Sequence, residues 1–129
     1  MLAKDRDGRS ELHHCALRND AAALRTLLVS GAASNEADKL GFTPLHFAAQ
    51  ENARDAACVL LELGADSNAK NLLGNTPLWT AVYNYQGDGT LIQMLLEHGA
   101  NPTMPNNQGK TPRDLAHLIA NYDVRKYFP

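Results

Sequence analysis

Residues 41–49 read GFTPLHFAA, and close variants of this segment recur along the chain. GRSELHHCA occupies residues 8–16, GNTPLWTAV residues 74–82 and GKTPRDLAH residues 109–117. The first glycines of the four segments are therefore separated by 33, 33 and 35 residues. A period of this length is typical of stacked supersecondary units, each of which buries its apolar face against its neighbours.

Each period contains the signals of two helices, which are clearest in the second period. Thr43 and Pro44 form a helix start. The threonine hydroxyl can accept a hydrogen bond from the exposed backbone N–H groups of the first turn. The proline has no N–H, but an N–H at this position would have no partner within the helix. We expect a short helix over about residues 44–50. Asn52 is placed to end it in the left-handed conformation. A second, more apolar helix follows over about residues 53–63.

One segment carries a recognisable motif, Thr43-Pro44-Leu45-His46 followed by Ala48. It matches the T-P-L-H-x-A pattern of the ankyrin repeat, and the chain resembles this family over nearly its whole length. The resemblance implies an all-α ankyrin-repeat solenoid of stacked antiparallel helix pairs with β-turn loops along one side. We predict a single domain over residues 1–129, with repeats at about residues 5–37, 38–70, 71–105 and 106–129.

The end repeats are degenerate relative to this pattern. Ser10 and Glu11 stand where the pattern has Thr-Pro, and Arg113 and Asp114 replace Leu-His. Polar replacements of this kind suit capping repeats, whose outer faces meet water. We expect the last repeat to end in a short helix over about residues 122–128.

The resemblance also implies that the motif residues are structural. The imidazoles of His13 and His46 would bridge the hydroxyl of Ser10 or Thr43 to the backbone of the neighbouring loop. Trp79 stands at the histidine position of the third repeat, and we expect it in the core. The full structural signature consists of Thr43, Pro44, His46, Thr76, Pro77 and His13.

The third repeat carries two extra residues near residues 83–89, YNYQGDG, between its helices. We expect Thr90 and Gln93 to form a capping box for the helix that follows. The insertion is a candidate contact rim for a partner.

Composition and motifs limit the function classes. The formal charge is −2, and no run of Lys or Arg could neutralise a phosphate backbone, so we expect no nucleic acid partner. No apolar stretch approaches the ~20 residues of a membrane span. No zinc spacing or nucleophile–base motif occurs, so we expect no metal, no cofactor and no catalysis. A polar N-terminus and two cysteines predict a cytoplasmic location.

In the family that the chain resembles, the loops and the exposed face of each first helix form a concave groove that binds proteins. Carried over to this sequence, that groove would bind another protein 1:1, and the chain alone would be a monomer. Exposed aromatic and apolar side chains encircled by polar groups are typical of binding hot spots. The predicted partner-binding residues are Arg9, His14, Arg18, Lys39, Leu40, Phe42, Phe47, Glu51, Leu72, Leu73, Tyr83, Asn84 and Tyr85.

The predicted function is a non-catalytic module that occupies a partner's surface as a stoichiometric inhibitor or adaptor. An immunity protein that neutralises a cognate toxin is one alternative. A different class is a small-ligand-binding or catalytic protein that uses Trp79, Tyr83 and Tyr85 as an aromatic pocket. A third alternative is a structural spacer that self-associates through Leu72 and Leu73.

Overall fold

Eight short helices make up the secondary structure of residues 4–119 and 123–129, which are the residues that the computed structural model describes. They are α1 Glu11–Leu17, α2 Ala21–Val29, α3 Pro44–Gln50, α4 Arg54–Glu62, α5 Pro77–Tyr83, α6 Thr90–Glu97, α7 Pro112–Leu118 and a 3₁₀-helix at Val124–Tyr127. No strand occurs in these two ranges. The all-α class predicted from the sequence is confirmed.

The helices stack in two layers. The first layer consists of α1, α3, α5 and α7, packed against one another in order, and the second of α2, α4 and α6. Leu45 and Leu78 in the first layer and Leu60 and Leu95 in the second are at most 1% exposed. Isolated helices this short are marginal in water, so burial of these leucines between neighbouring pairs stabilises the array. The predicted solenoid of stacked helix pairs is confirmed.

The helix ends follow the local signals in most places. Asn52 has a φ of 51° and ends α3 in the left-handed region, as Asn19 does after α1 with a φ of 56°. The capping box predicted at Thr90 and Gln93 is wrong, because α6 begins at Thr90 itself. The carboxylate of Asp88 accepts the Thr90 N–H at 3.1 Å instead.

Four tip loops, residues 5–9, 38–42, 71–75 and 106–110, each precede the first helix of a repeat and share one hydrogen-bond pattern. In the second loop, Asp38 N–H donates to the Phe42 carbonyl at 2.8 Å. The Asp38 Oδ1 accepts the N–H groups of Leu40 and Phe42 at 2.9 and 2.8 Å. An Asp or Asn side chain that accepts hydrogen bonds from the backbone N–H groups of its own loop makes the turn rigid.

Neighbouring tip loops are joined backbone to backbone. Leu72 N–H donates to the Leu40 carbonyl at 3.0 Å, and Asn107 N–H donates to the Leu73 carbonyl at 3.0 Å. Gly41 makes the close approach possible, because a Cβ there would come within 2.8 Å of the Leu72 nitrogen. The loops therefore form a continuous row along one edge of the array.

Gly41→Ala and Gly109→Ala test this close approach as a matched pair. Both glycines have positive φ, 81° and 75°, so each alanine incurs a similar backbone cost of about 1–2 kcal/mol. A Cβ at Gly109 meets nothing within 4 Å, whereas at Gly41 it meets the next loop. Urea denaturation should show a loss for Gly41→Ala that is larger by about 1 kcal/mol or more. Equal losses would contradict the proposed contact.

Buried imidazoles link each of the first two helix pairs to the next tip loop. His46 Nδ1 accepts the Thr43 N–H at 3.1 Å, and Nε2–H donates to the Asn75 carbonyl at 2.8 Å. His13 does the same with Ser10 and Phe42, at 2.9 and 2.8 Å. The hydroxyls of Ser10 and Thr43 also lie 3.0 and 2.9 Å from these Nδ1 atoms, so the imidazoles make the contacts that the family resemblance implies. Burial lowers the pKa of both histidines.

These two histidines make stability depend on pH. Their unfolded pKa is about 6.5 and their folded pKa is lower, so acid protonates the unfolded chain first. The free energy of unfolding should therefore fall as pH drops through about 6.5, down to the folded pKa values. Urea denaturation between about pH 7.5 and pH 5.5, with NMR titration of each imidazole, measures this. Imidazole pKa values at or above 6.5 would contradict the assignment.

The 3₁₀-helix packs against α7 and, through Tyr127, against the end of the third helix pair. Val124 and Phe128 are buried, and the His117 Nε2 lies 3.0 Å from the Phe128 carbonyl. The ring of Tyr127 covers Gly89 so closely that a Cβ there would collide with it. The predicted helix over residues 122–128 is a 3₁₀-helix confined to Val124–Tyr127, and the predicted start at residue 122 lies outside the described residues.

Candidate protein-binding surface

The two middle tip loops present apolar side chains to solvent. Leu40 is 61% exposed, and Leu72 and Leu73 are each 65% exposed. The corresponding positions of the first and fourth loops are polar, occupied by Arg6-Asp7 and by Asn107-Gln108. The apolar edge is therefore confined to the middle of the row, as expected of a binding surface rather than of a general surface.

A depression of about 300 Å³ lies beside these loops, between α3 and α5. It is bordered by apolar and aromatic side chains and by uncharged polar ones, and no charged side chain among the described residues lines it. Tyr83, at the end of α5, is 69% exposed on its rim. This central depression is lined by Phe42, Gln50, Asn71, Leu73, Asn75, Trp79, Thr80, Tyr83 and Asn84.

Phe47 does not face the groove, contrary to the sequence prediction. It is 3% exposed, with its ring stacked on Phe42 at a centroid distance of 5.3 Å. His13 meets its edge at 5.7 Å, and the guanidinium of Arg9 lies over its face at 4.8 Å. Neighbouring elements thus cover a position that the helix alone would leave exposed, and Phe47 is a structural residue.

Tyr85 is also buried, at 6% exposure, and was wrongly expected in the groove. Its ring packs against Tyr127 at a centroid distance of 6.2 Å. It lines a separate depression of about 220 Å³ together with Asn52 and Asp88, across from the tip loops. The aromatic pocket of Trp79, Tyr83 and Tyr85 is therefore not formed, because Tyr85 does not border the central depression.

Three predicted contact residues have intramolecular partners. The Nε of Arg9 lies 3.6 Å from the buried carboxylate of Asp38, and this adds to its contact with Phe47. His14 Nε2 is 2.9 Å from Asp5 Oδ2, and an amino group of Arg18 donates to Glu11 Oε1 at 3.1 Å. These side chains are half-buried or paired, and their role in binding stays a prediction.

The remaining polar candidates are exposed. The side chain of Lys39 makes no ion pair within the described ranges. Glu51 Oε2 accepts the Gln50 amide at 3.0 Å, and Asn84 Nδ2 donates to the Thr80 carbonyl at 2.9 Å. Lys39 is therefore the predicted contact residue whose charge is most available to a partner.

Trp79 is a surface residue that the sequence prediction placed in the core. It is half-buried and lines both the central depression and a second one of about 290 Å³ with Lys110 and Leu118. An indole has a donor but no acceptor nitrogen, so it cannot bridge as the imidazoles do. The fourth loop is held instead by the Asn106 amide, which donates to Asn75 Oδ1 at 2.9 Å. The absence of a histidine at position 79 was the sequence feature that could have indicated this different role.

Residues 4–119 and 123–129 contain neither a metal-binding cluster nor a membrane-spanning helix. No group of three His, Cys, Asp or Glu side chains in them could hold a metal ion. None of their helices combines the length and apolar character that crossing a bilayer requires. Cys15 and Cys58 are free thiols.

Stacked helix pairs with a row of tip loops beside an open helical face define a repeat scaffold for protein binding. A family model for ankyrin repeats (3 copies) matches residues 1–71, and one for ankyrin repeats (many copies) matches residues 64–116. The chain belongs to the ankyrin repeat family, whose members are protein–protein interaction modules. No curated protein sequence matches the chain.

Phe47→Ala and Tyr83→Ala separate structural from exposed aromatic residues. Phe47→Ala should lower the free energy of unfolding by about 3–5 kcal/mol, because it empties a packed site. Tyr83→Ala should change it by no more than about 0.5 kcal/mol, because the ring is largely in solvent. Urea denaturation followed by circular dichroism measures both. A Tyr83→Ala loss as large as that of Phe47→Ala would contradict the assignment.

Proposed function

We propose that this chain is a non-catalytic binding module that acts by occupying the surface of one partner protein, in a 1:1 complex. The observation that carries the proposal is the apolar edge of the middle tip loops beside the central depression. Leu40, Leu72, Leu73 and Tyr83 are each more than 60% exposed there. Patches of exposed large apolar side chains with a polar border are typical of interaction sites.

The proposed mode of action is that of a stoichiometric inhibitor or an adaptor. A module of stacked repeats presents an extended surface and can cover a partner's active region or hold it beside a third protein. An immunity protein is the form of inhibitor whose partner is a toxin. We propose the cytoplasm as its location, and the free thiols of Cys15 and Cys58 suit a reducing compartment.

Affinity capture from a lysate of the source cells tests the binding role. The bait is the full chain, compared with a Leu73→Ala/Tyr83→Ala variant that truncates two exposed side chains of the central depression. The matched control is Val29→Ala, which truncates a side chain that is 73% exposed at the end of α2. Circular dichroism verifies that all three baits are folded.

We expect one stoichiometric partner on the wild-type chain and on Val29→Ala, and its loss from the double variant. Recovery of the same partner on the double variant would contradict the proposed site, and no partner on any bait would contradict the function. The partner's own activity with and without the chain then separates inhibitor from adaptor. Light scattering of the chain alone measures whether it is a monomer.

A further inference from the structure

We propose that Arg9 is a positioning residue, which fixes the second tip loop in the shape that the binding surface needs, and that it does not itself contact the partner. The proposal rests on the proposed protein-binding function, because this loop carries Leu40 of the apolar edge and Phe42 of the central depression. Three features support it: the buried carboxylate of Asp38, the place of the Arg9 guanidinium beside it, and the residues that form the other tip loops.

The carboxylate of Asp38 organises the second tip loop from inside. Its Oδ1 accepts the Leu40 and Phe42 N–H groups at 2.9 and 2.8 Å, and the side chain is only 2% exposed. A carboxylate removed from water is costly unless an opposite charge lies close to it. The shape of this loop therefore depends on a nearby cation as well as on its own hydrogen bonds.

Arg9, in the first tip loop, supplies that cation. Its Nε lies 3.6 Å from Asp38 Oδ2, the only ion pair of Asp38 among the described residues. The same Nε is buried and has no hydrogen-bond partner within residues 4–119 and 123–129. The guanidinium also lies 4.8 Å above the ring of Phe47, which stacks on Phe42 at 5.3 Å. Arg9 thus acts on Phe42 from two sides, through its backbone and through its ring.

The other basic groups close to Asp38 do not replace Arg9. The negative charge of Asp38 acts on the imidazoles of His13 and His46 and favours their protonation. Burial has the larger effect and lowers the pKa of both below the usual 6.5, so both rings are neutral at pH 7. The charge of Asp38 is therefore balanced by Arg9.

The remaining tip loops do not need such a cation. Asn71 and Asn106 occupy the place of Asp38 in the third and fourth loops. Their Oδ1 atoms accept the corresponding backbone N–H groups at 2.9–3.0 Å, so a neutral amide makes the same turn. Asp5 of the first loop is a carboxylate, but it is exposed to water. The second loop alone combines a buried carboxylate with an arginine from the preceding loop.

Amide hydrogen exchange measured by NMR tests the effect on the loop. Arg9→Met removes the charge and retains a long apolar side chain. Exchange of the Leu40 and Phe42 N–H groups should become faster by about tenfold or more, because the buried carboxylate loses its counter-charge. The Leu73 and Asn75 N–H groups, which make the same turn in the third loop, are the internal control and should change by less than about twofold. Equal acceleration in both loops would indicate a general loss of stability and would overturn the proposal.

A second substitution should rescue this effect. In Arg9→Met/Asp38→Asn, exchange in the second loop should return to within about threefold of the wild-type rate, because an amide at position 38 needs no counter-charge. If Arg9→Met alone does not fold, Asp38→Asn is compared with the double variant, and the two should differ by no more than about threefold. A larger difference, or no rescue, would contradict the role of Arg9. Arg18→Met, which removes an exposed arginine paired with Glu11, is the matched control and should leave these rates unchanged.

The same variants, used as baits in the affinity capture described above, separate positioning from direct contact. We expect the partner to be lost on Arg9→Met and recovered on Arg9→Met/Asp38→Asn, although the double variant has no arginine at position 9. If exchange in the loop is restored but the partner is not, Arg9 contacts the partner and the positioning role is refuted. If no bait captures a partner, the proposed function fails, and the exchange rates alone decide whether Arg9 positions the loop.

Discussion

The buried imidazole of His46 sets the spacing on which the rest of the array depends. It is fully enclosed and bonded at both nitrogens, to its own helix start and to the Asn75 carbonyl of the third tip loop. A buried polar ring that lost either bond would leave an unpaired group in an apolar core, so the two repeats cannot slide past each other at low cost. His13 imposes the same constraint one repeat earlier. Stacked in this register, the tip loops bond backbone to backbone and hold their leucines in a row.

The period and the helix starts could be predicted because they depend on residues that recur along the chain, and the histidine bridges of the first two repeats followed from the family resemblance. The exposure of individual aromatic residues could not. Phe47 is covered by Arg9 and Phe42, which belong to tip loops, and Tyr85 is covered by Tyr127 from the far end of the chain. Each of these contacts occurs only once among the described residues, so the repeat pattern of the sequence does not predict them. For Trp79, the absence of an acceptor nitrogen indicates that the side chain cannot bridge as the imidazoles do. Whether the indole points into the core or to the surface depends on its neighbours.

The surface chemistry follows from the same stacking. Equivalent positions of the four tip loops lie side by side, and each loop is rigid because an Asp or Asn satisfies its backbone. A change of residue at one position therefore alters one part of the edge without disturbing the next. The middle loops carry leucines and the outer loops carry polar residues, which gives a short array a defined centre. Rigidity here also reduces the entropy lost when a partner is bound.

The insertion after α5 has a consequence for how this scaffold can diverge. Its extra residues lie in the turn between first-layer and second-layer helices, where Asp88 meets the Asn52 amide, and the tip-loop row is continuous despite them. Tyr127 occupies the place that Gly89 leaves open. The two edges of the solenoid are therefore under different geometric constraints. One must preserve its length to keep its loops in register, whereas the other can gain or lose residues and still leave the binding edge unchanged.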